Sequence, residues 1–398
     1  MDKKNSKNSS IEKKDSSMRK FDDVTFYYDV KSDFCRDLIT RVIQKNGFAP
    51  EHNYEYFISQ GSFEARPVFA YFGEDKGVLA IEWDDGCYQI LSEILAPQGD
   101  RCGIAIKFFD IVLNKIGAKK IIVEFSPIMR REMLKSLNIS ESAKENDDVK
   151  EFSNIKLGRV ICKYSTPIVN ISTWDTTLAG SHFSNLRKAK NRFYKNFKVE
   201  VLSGKDVSLI PIEEFRNLID AWKKNRKNTD TVFSEYYSSF FENHFSGSAC
   251  HIVLKLDGKL CGVCAAILIP DTNGRSDRKN VGRNVGRNVG KNDGENDGRN
   301  NEKNNGRDDR KNVGEHNGKN VYYAINLHDY SVQELGDFLT VLFLDELKRN
   351  KFEFMDFGSS DEKLLNYKKK FGIHSTYETQ VYYIRLQRRN VSLKMRGA

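Results

Sequence analysis

The sequence predicts an α+β protein of two lobes, each a mostly antiparallel mixed sheet flanked by helices. Three observations carry that expectation. The chain has 398 residues, long for one domain and comfortable for two. Apolar residues alternate between helical and strand spacing, so helices and strands interleave. The order of segments in residues 21–165 also recurs in residues 166–390.

In the second lobe, Leu178, Phe183, Leu186, Ala189, Phe193 and Phe197 fall at helical spacing and predict a helix over 176–197. Phe215, Leu218, Ile219 and Trp222 share one face of a second helix over 211–225. Residues 249–270 form a hairpin turning at Asp257-Gly258. A strand at 321–328, a helix at 336–349, a short strand at 352–357, a helix at 361–370 and a terminal strand at 378–386 complete the lobe. The first lobe offers a helix at 33–46, a hairpin at 67–83, a strand at 87–96, a helix at 102–116 and a strand at 118–127. Overlaying IIVEFSP (121–127) on EFMDFGS (353–359) places Glu124 opposite Asp356 and points to a duplicated domain.

The mean hydropathy of −0.59 is low, but the polarity is concentrated in two segments. Residues 1–20 are rich in Lys, Ser and Asn and carry +4, and they are expected to be a disordered tail. Residues 271–320 carry +3 and repeat Asn-x-Gly-charged from Asn280 onward, a disordered insertion between the hairpin and the next strand. The net charge is +9, which leaves +2 for the remainder. Charge alone therefore does not call for a nucleic-acid surface.

Seven irregularly spaced cysteines read as reduced thiols of a cytoplasmic protein. No segment has the length and apolarity of a signal peptide or a membrane span. Cys261 and Cys264 lie in a strand, where positions three apart face opposite sides, so they are expected to be structural. The seven histidines show no ligand spacing, and no metal is expected. Nucleophile elbows, phosphate loops and dinucleotide fingerprints are absent.

After the strand at 321–328 the chain runs SVQELGDFL (331–339) into a helix. Gln333 and Gly336 at that helix start would turn free backbone N–H groups and the positive helix end toward a phosphate. A helix cap with a turn glycine accounts for the same residues. The order strand, Gln-x-x-Gly turn, helix, strand resembles the acyl-donor half of GNAT acyltransferases. Phe338 stands where their loop has a small residue, and its bulk is expected to crowd a pyrophosphate.

Two further segments, 172–202 and 355–372, are similar to Fem-type peptidoglycan-bridge aminoacyltransferases, which are built from two GNAT-like lobes. The first carries a Trp, a Leu-bearing helix and Arg-x-x-x-Lys. The second carries Asp-x-Gly and ends in aromatic-Lys-x-x-Phe-Gly. The resemblance implies transfer of an acetyl or aminoacyl group from acyl-CoA or aminoacyl-tRNA to an amine, by direct attack. The acceptor would be a small molecule or a cell-envelope precursor.

On that resemblance, Asp356 accepts or holds the amine proton and Tyr323 is the second candidate catalytic side chain. Gln333, Gly336, Lys368 and Arg187 would bind donor or substrate, with Lys368 on a phosphate. Lys368→Ala is accordingly expected to lower activity while leaving the melting temperature nearly unchanged, and a solvated lysine at a helix end is the alternative reading. Tyr323 and His328 alternate to opposite faces of their strand, so they are not expected to act together. The competing function is a non-catalytic, degenerate GNAT module that binds an anionic ligand.

Overall fold

A computed structural model describes residues 17–61, 64–137, 154–225, 234–270 and 320–387. Residues 1–16 of the expected tail and 271–319 of the expected insertion lie outside the described residues. Residues 18–21, the end of the expected tail, form a short strand instead.

The first half runs β1 (Met18–Phe21), β2 (Val24–Tyr27), α1 (Asp33–Asn46), α2 (Tyr54–Ser59), β3 (Ala65–Tyr71), β4 (Gly77–Trp83) and β5 (Cys87–Ile90). It continues with α3 (Gln98–Asp110), β6 (Lys120–Phe125), α4 (Pro127–Ser136) and β7 (Ile155–Asn170). The second half opens with α5 (Ser184–Asn196), β8 (Val199–Ser203), α6 (Ile212–Asn225), α7 (Ser234–Glu242), β9 (Cys250–Leu256) and β10 (Lys259–Leu268). It closes with β11 (Asn320–His328), α8 (Leu335–Arg349), β12 (Phe354–Asp356), α9 (Glu362–Lys368) and β13 (Ile373–Leu386). From β2 and from β8 onward the two halves repeat one order, β-α-α-β-β-β-α-β-α-β, the order that a GNAT-like duplication requires.

The halves do not keep separate sheets. All strands join one 13-stranded sheet in the order β1-β2-β3-β4-β5-β6-β13-β7-β12-β11-β10-β9-β8. Only β5–β6 and β11–β12 are parallel; the other pairs are antiparallel. Beyond β1 the order reads the same from either end, so a pseudo-twofold passes between β13 and β7. Each half has sent its last strand across that axis: β7 pairs with β12, and β13 pairs with β6. The expected boundary at 165–166 consequently falls inside β7.

Burial follows strand alternation. In β6, Ile121, Val123 and Phe125 are fully buried, whereas Lys120, Ile122 and Glu124 point the other way and keep some exposure. Tyr382 and Ile384 of β13 bury on the same side as Val123 and Ile121, their register partners. Helices α3 and α4 cover that side of the first half, and α1 and α2 cover the reverse side of β2–β5. In the second half α5 and α8 lie on one face, α6 and α7 on the other.

Two bulges reset the alternation and correct two expectations. In β10, Leu260 pairs with Lys255 and Gly262 with Leu254, so Cys261 is an extra residue. Cys261 and Cys264 therefore enter the same core, not opposite faces. In β11, Tyr323 pairs with Ala266 and Ile325 with Ala265, leaving Ala324 extra. Tyr323 and His328 both face α8 as a result, through Thr340 and Gly336 respectively.

The helix expected from 176 begins only at Ser184. Asp175 accepts the N–H groups of Thr177 and Ala179, and Leu178 (φ 54°) and Gly180 (φ 86°) adopt left-handed backbone. Leu178 is buried, so its apolar character reports core packing in a turn.

Because β13 lies between the halves, a cavity there should weaken both. Ile384→Ala is expected to cost about 2–5 kcal/mol and to lower one cooperative unfolding transition. Two transitions, of which only one moves, would show that the halves fold independently.

Candidate active site

The pseudo-twofold brings the ends of β6 and β12 together. β11 and β12 pair only through Tyr322 and Asp356, then part; β5 and β6 pair only through Gln89 and Ile122. Asp356 is the last paired residue at one parting, and Glu124 lies two residues beyond the other. Asp356 is 2% exposed. Its Oδ1 accepts the Gly358 N–H at 2.8 Å and its Oδ2 accepts the Tyr377 hydroxyl at 2.8 Å. Glu124 Oε1 accepts Thr379 Oγ1 at 2.6 Å and Ser359 Oγ at 3.1 Å. Strand β13 thus supplies a hydroxyl to each carboxyl.

A third carboxyl enters from the loop between α1 and α2. Glu51 lies near Ser92, Glu124 and Asp356. Burial pushes its carboxyl up to about 8, and the charges of Glu124 and Asp356 push the same way. Yet Glu51 is not sealed from solvent. A group that water reaches but protein surrounds belongs at the floor of a cleft.

Four tyrosines gather here, Tyr56, Tyr322 and Tyr377 beside the carboxyls and Tyr236 behind Tyr56, its hydroxyl donating to Ala324 O at 3.2 Å. Tyr56 of α2 meets Tyr236 of α7 edge to face at 6.0 Å and Tyr322 of β11 at 6.2 Å, and Tyr377 is hydrogen-bonded to Asp356. Burial raises all four phenols, so each stays a neutral donor. Three carboxyls and four neutral hydroxyls in a low-dielectric cleft suit a positively charged group with N–H donors, such as an ammonium.

The structure brings only part of the expected site together. Asp356 is central. Tyr323 points away: its hydroxyl lies 2.8 Å from Cys264 Sγ and 3.3 Å from Thr340 Oγ1, and its ring stacks on Phe343. Its neighbour Tyr322 faces the cleft instead. Arg187 donates to the carbonyls of Leu178 and Gly180, tying down the turn before α5. Lys368 is buried, and its Nζ donates to Phe357 O (2.6 Å), Gly358 O (3.1 Å) and Ser360 Oγ (2.9 Å). All three of its donors hold the loop after Asp356. Burial lowers this amine to about 8, against the pull of Asp356 and Asp361.

Gln333 is exposed, and its carbonyl accepts from Arg192 at 3.1 Å. Arg192 also pairs with Glu334 at 2.7 Å. Gly336 answers to packing: a Cβ there would stand 2.7 Å from His328 Cε1. Asp337 in the first turn of α8 accepts from Tyr367 and Lys370. Phe338 turns inward and stacks on Phe193 at 4.5 Å with rings 3° from parallel. The expected crowding at Phe338 is not seen, because its ring is buried in the core. Glu334 and Asp337 at the helix start are each paired with a cation, Arg192 and Lys370 respectively.

Sequence reasoning missed Glu51, Tyr56, Tyr236, Tyr322 and Tyr377 as cleft residues. Only the overlay of Glu124 on Asp356 held a clue, because it marked two equivalent strand ends.

Comparison with known proteins bears on this architecture. Residues 140–273, a third of the chain, match the family "phosphatidylglycerol lysyltransferase, C-terminal". A conserved protein of unknown function from Bacteroides thetaiotaomicron superposes with a TM-score of 0.54 at 14% identity, over 88% of this chain and 96% of that one. The L-PGS of Bacillus licheniformis gives 0.52 at 11%, over 89% and 93%. The C-terminal domain of a putative lysylphosphatidylglycerol synthetase from Agrobacterium fabrum gives 0.50 at 13%, over 88% and 92%. No curated protein matches the sequence. At these identities the likeness is one of fold: a mixed sheet flanked by helices.

Two measurements test the assignments made from contacts. Lys368→Ala leaves two carbonyls and a hydroxyl unsatisfied and is expected to cost about 2–4 kcal/mol, reversing the expectation for a surface lysine. Urea unfolding reads this directly, and an unchanged midpoint would refute it. For Glu51, a folded-state carboxyl raised to about 8 retains a proton that the unfolded chain releases. Its stabilising contribution is present below the ordinary carboxylate range and lost as pH rises through about 8. Glu51→Gln should therefore melt higher than the parent near pH 9, with a smaller difference near pH 5. Parallel melting profiles across pH would sink the assignment.

Proposed function

We propose that the chain is an aminoacyltransferase that takes its acyl group from aminoacyl-tRNA and delivers it to an acceptor nucleophile. The observation that carries this is the convergence of Glu51, Glu124 and Asp356 with four neutral tyrosines at the junction of the halves. An aminoacyl group is an acyl group bearing an ammonium, which an acidic, aromatic cleft accommodates and which a simple acetyl group lacks. The lysyltransferase name of the matched family agrees with a cationic aminoacyl moiety.

In this scheme the ammonium rests between the carboxyls of Asp356 and Glu124, which fixes the ester carbonyl beside the parted strands β11 and β12. The acceptor attacks that carbon, forming the new bond and a tetrahedral oxyanion; the bond to the ribose oxygen then breaks. The acceptor gives up one proton and the ribose oxygen gains one, so no net proton is consumed. A cleft carboxylate can receive the first proton. The tyrosines, kept protonated by burial, supply hydrogen bonds to developing negative charge.

Transfer of radiolabelled lysine from lysyl-tRNA by the full chain, compared with acetyl transfer from acetyl-CoA, tests the proposal. Asp356→Asn should reduce lysyl transfer by about 10²–10⁴-fold while the fold is retained. Acetyl transfer in place of lysyl transfer would overturn it. So would full activity of the variant, or binding of lysyl-tRNA with no transfer.

A further inference from the structure

Beyond the cleft, the face of the central strands that carries Glu124 and Tyr377 continues without cover from the described residues and changes sign. Arg385 of β13 lies directly opposite Lys156 of β7. Ile384 pairs with Ile121, so Lys120 of β6 is the neighbour of Arg385 on its other side. The residues alternating with these three, Ile121, Ile384 and Leu157, are buried in the first-half core, so the three cations share the opposite, open face. They form a row across three adjacent strands, spaced by about 5 Å. Like charges placed directly opposite one another destabilise a sheet, so the row has no structural motive of its own.

Two hollows flank the row and meet at Arg385. One, of about 690 Å³, includes Lys156, Arg159 and Tyr383; the other, of about 510 Å³, includes Lys119 and Lys120. Among the described residues lining them, Asp85 is the one carboxylate. It is already engaged by the Cys87 N–H at 2.9 Å and the Cys87 thiol at 3.0 Å. The Tyr383 ring sits among the cations, with Lys120 Nζ at 4.9 Å and Arg385 at 5.0 Å from its centre.

The row and the cleft lie on one line. The register irregularities beside residues 381–384 insert extra residues in β7, not in β13, so Tyr377, Thr379, Val381, Tyr383 and Arg385 stay on one face. Tyr377 and Thr379 hold Asp356 and Glu124. Arg385 is eight residues farther along the strand, about 27 Å at ~3.4 Å per residue. A ligand filling both ends has a cationic group at one tip and phosphates about 27 Å behind it, roughly eight nucleotides at duplex rise and fewer when extended.

We infer that Lys119, Lys120, Lys156, Arg159 and Arg385 form the docking surface for the phosphate backbone of the nucleic acid whose aminoacylated 3′ end enters the cleft. The inference rests on the proposed donor but concerns a different surface. A chain-like polyanion is favoured over a bilayer because the cations line two hollows that meet at Arg385, on the face of β13 that leads back to the cleft. They do not crown a protruding face.

The test uses the full chain and deacylated bulk tRNA, with binding measured over a salt series. Lys156→Glu with Arg385→Glu should weaken binding by about tenfold or more and flatten the log–log salt slope by roughly 0.7–0.9 for each cation removed. The melting temperature should hold, because one directly opposed like-charge pair replaces another. The milder pair Lys156→Gln with Arg385→Gln should give an intermediate loss, which guards against a folding defect. Lysyl transfer from a lysyl ester of adenosine, which has no phosphate backbone, should be unaltered in both variants. Unchanged tRNA affinity overturns the inference. Loss of binding to phosphatidylglycerol vesicles with tRNA binding intact also overturns it, in favour of a lipid surface. If the parent binds tRNA through this row but transfers nothing, the docking surface stands and the transferase proposal falls.

Discussion

The pairing of β7 with β13 is the constraint on which the molecule depends. It is the longest antiparallel pairing in the sheet, running from Ile155–Leu386 to Val169–Ile373. Each of these strands closes the half to which it does not belong in sequence. The exchange makes one sheet from two and leaves the partings of β5–β6 and β11–β12 facing each other across the pseudo-twofold. Without it, Glu124 and Asp356 would occupy the ends of separate sheets, and Tyr377 and Thr379 could not reach both. The cleft is thus a joint product: Glu51, Tyr56 and Glu124 come from the first half, and Tyr236, Tyr322, Asp356 and Tyr377 from the second.

Electrostatics inside the cleft follow from that crowding. Carboxyls from two halves converge where burial has removed most water, which raises the Glu51 carboxyl and keeps the phenols protonated. Lys368 compensates from behind, its donors spent on Phe357, Gly358 and Ser360, so the loop that follows Asp356 is fixed and the front of the site keeps its demand for a cation. Both halves keep a parting of parallel strands, and at the start of α8 Glu334 and Asp337 are tied to Arg192 and Lys370.

Much of this fold was legible in the sequence because it was written in short-range pattern. The hairpin at Asp257-Gly258, helix α6 and helix α8 follow from turn chemistry and apolar spacing, and the repeated segment order exposed the duplication. The exchange of β7 and β13 left no local trace, since alternation in a strand does not name its partner. Bulges at Cys261 and Ala324 were equally silent: one extra residue reverses every facing downstream, and nothing in LCGVC or YYAIN announces it. For the site, Asp356 was singled out through a motif, but Tyr323 and His328 were put on opposite faces because facing was counted without the bulge. Glu51 was invisible because its chemistry comes from distant neighbours. Lys368 looked like a surface charge in a lysine triplet, and only packing distinguishes it from Lys369 and Lys370.

The crossed strands also impose an order in time. As the chain leaves the ribosome, β6 is complete by residue 125, but the strand that covers its edge ends at residue 386. Throughout the intervening synthesis the first half has an uncapped sheet edge, and β7 waits equally long for β13. Such an edge invites pairing with another nascent chain. Maturation of this protein is therefore bound to the appearance of its last strand, and a chaperone that shields β6 until then would act on folding yield while leaving the finished molecule unchanged.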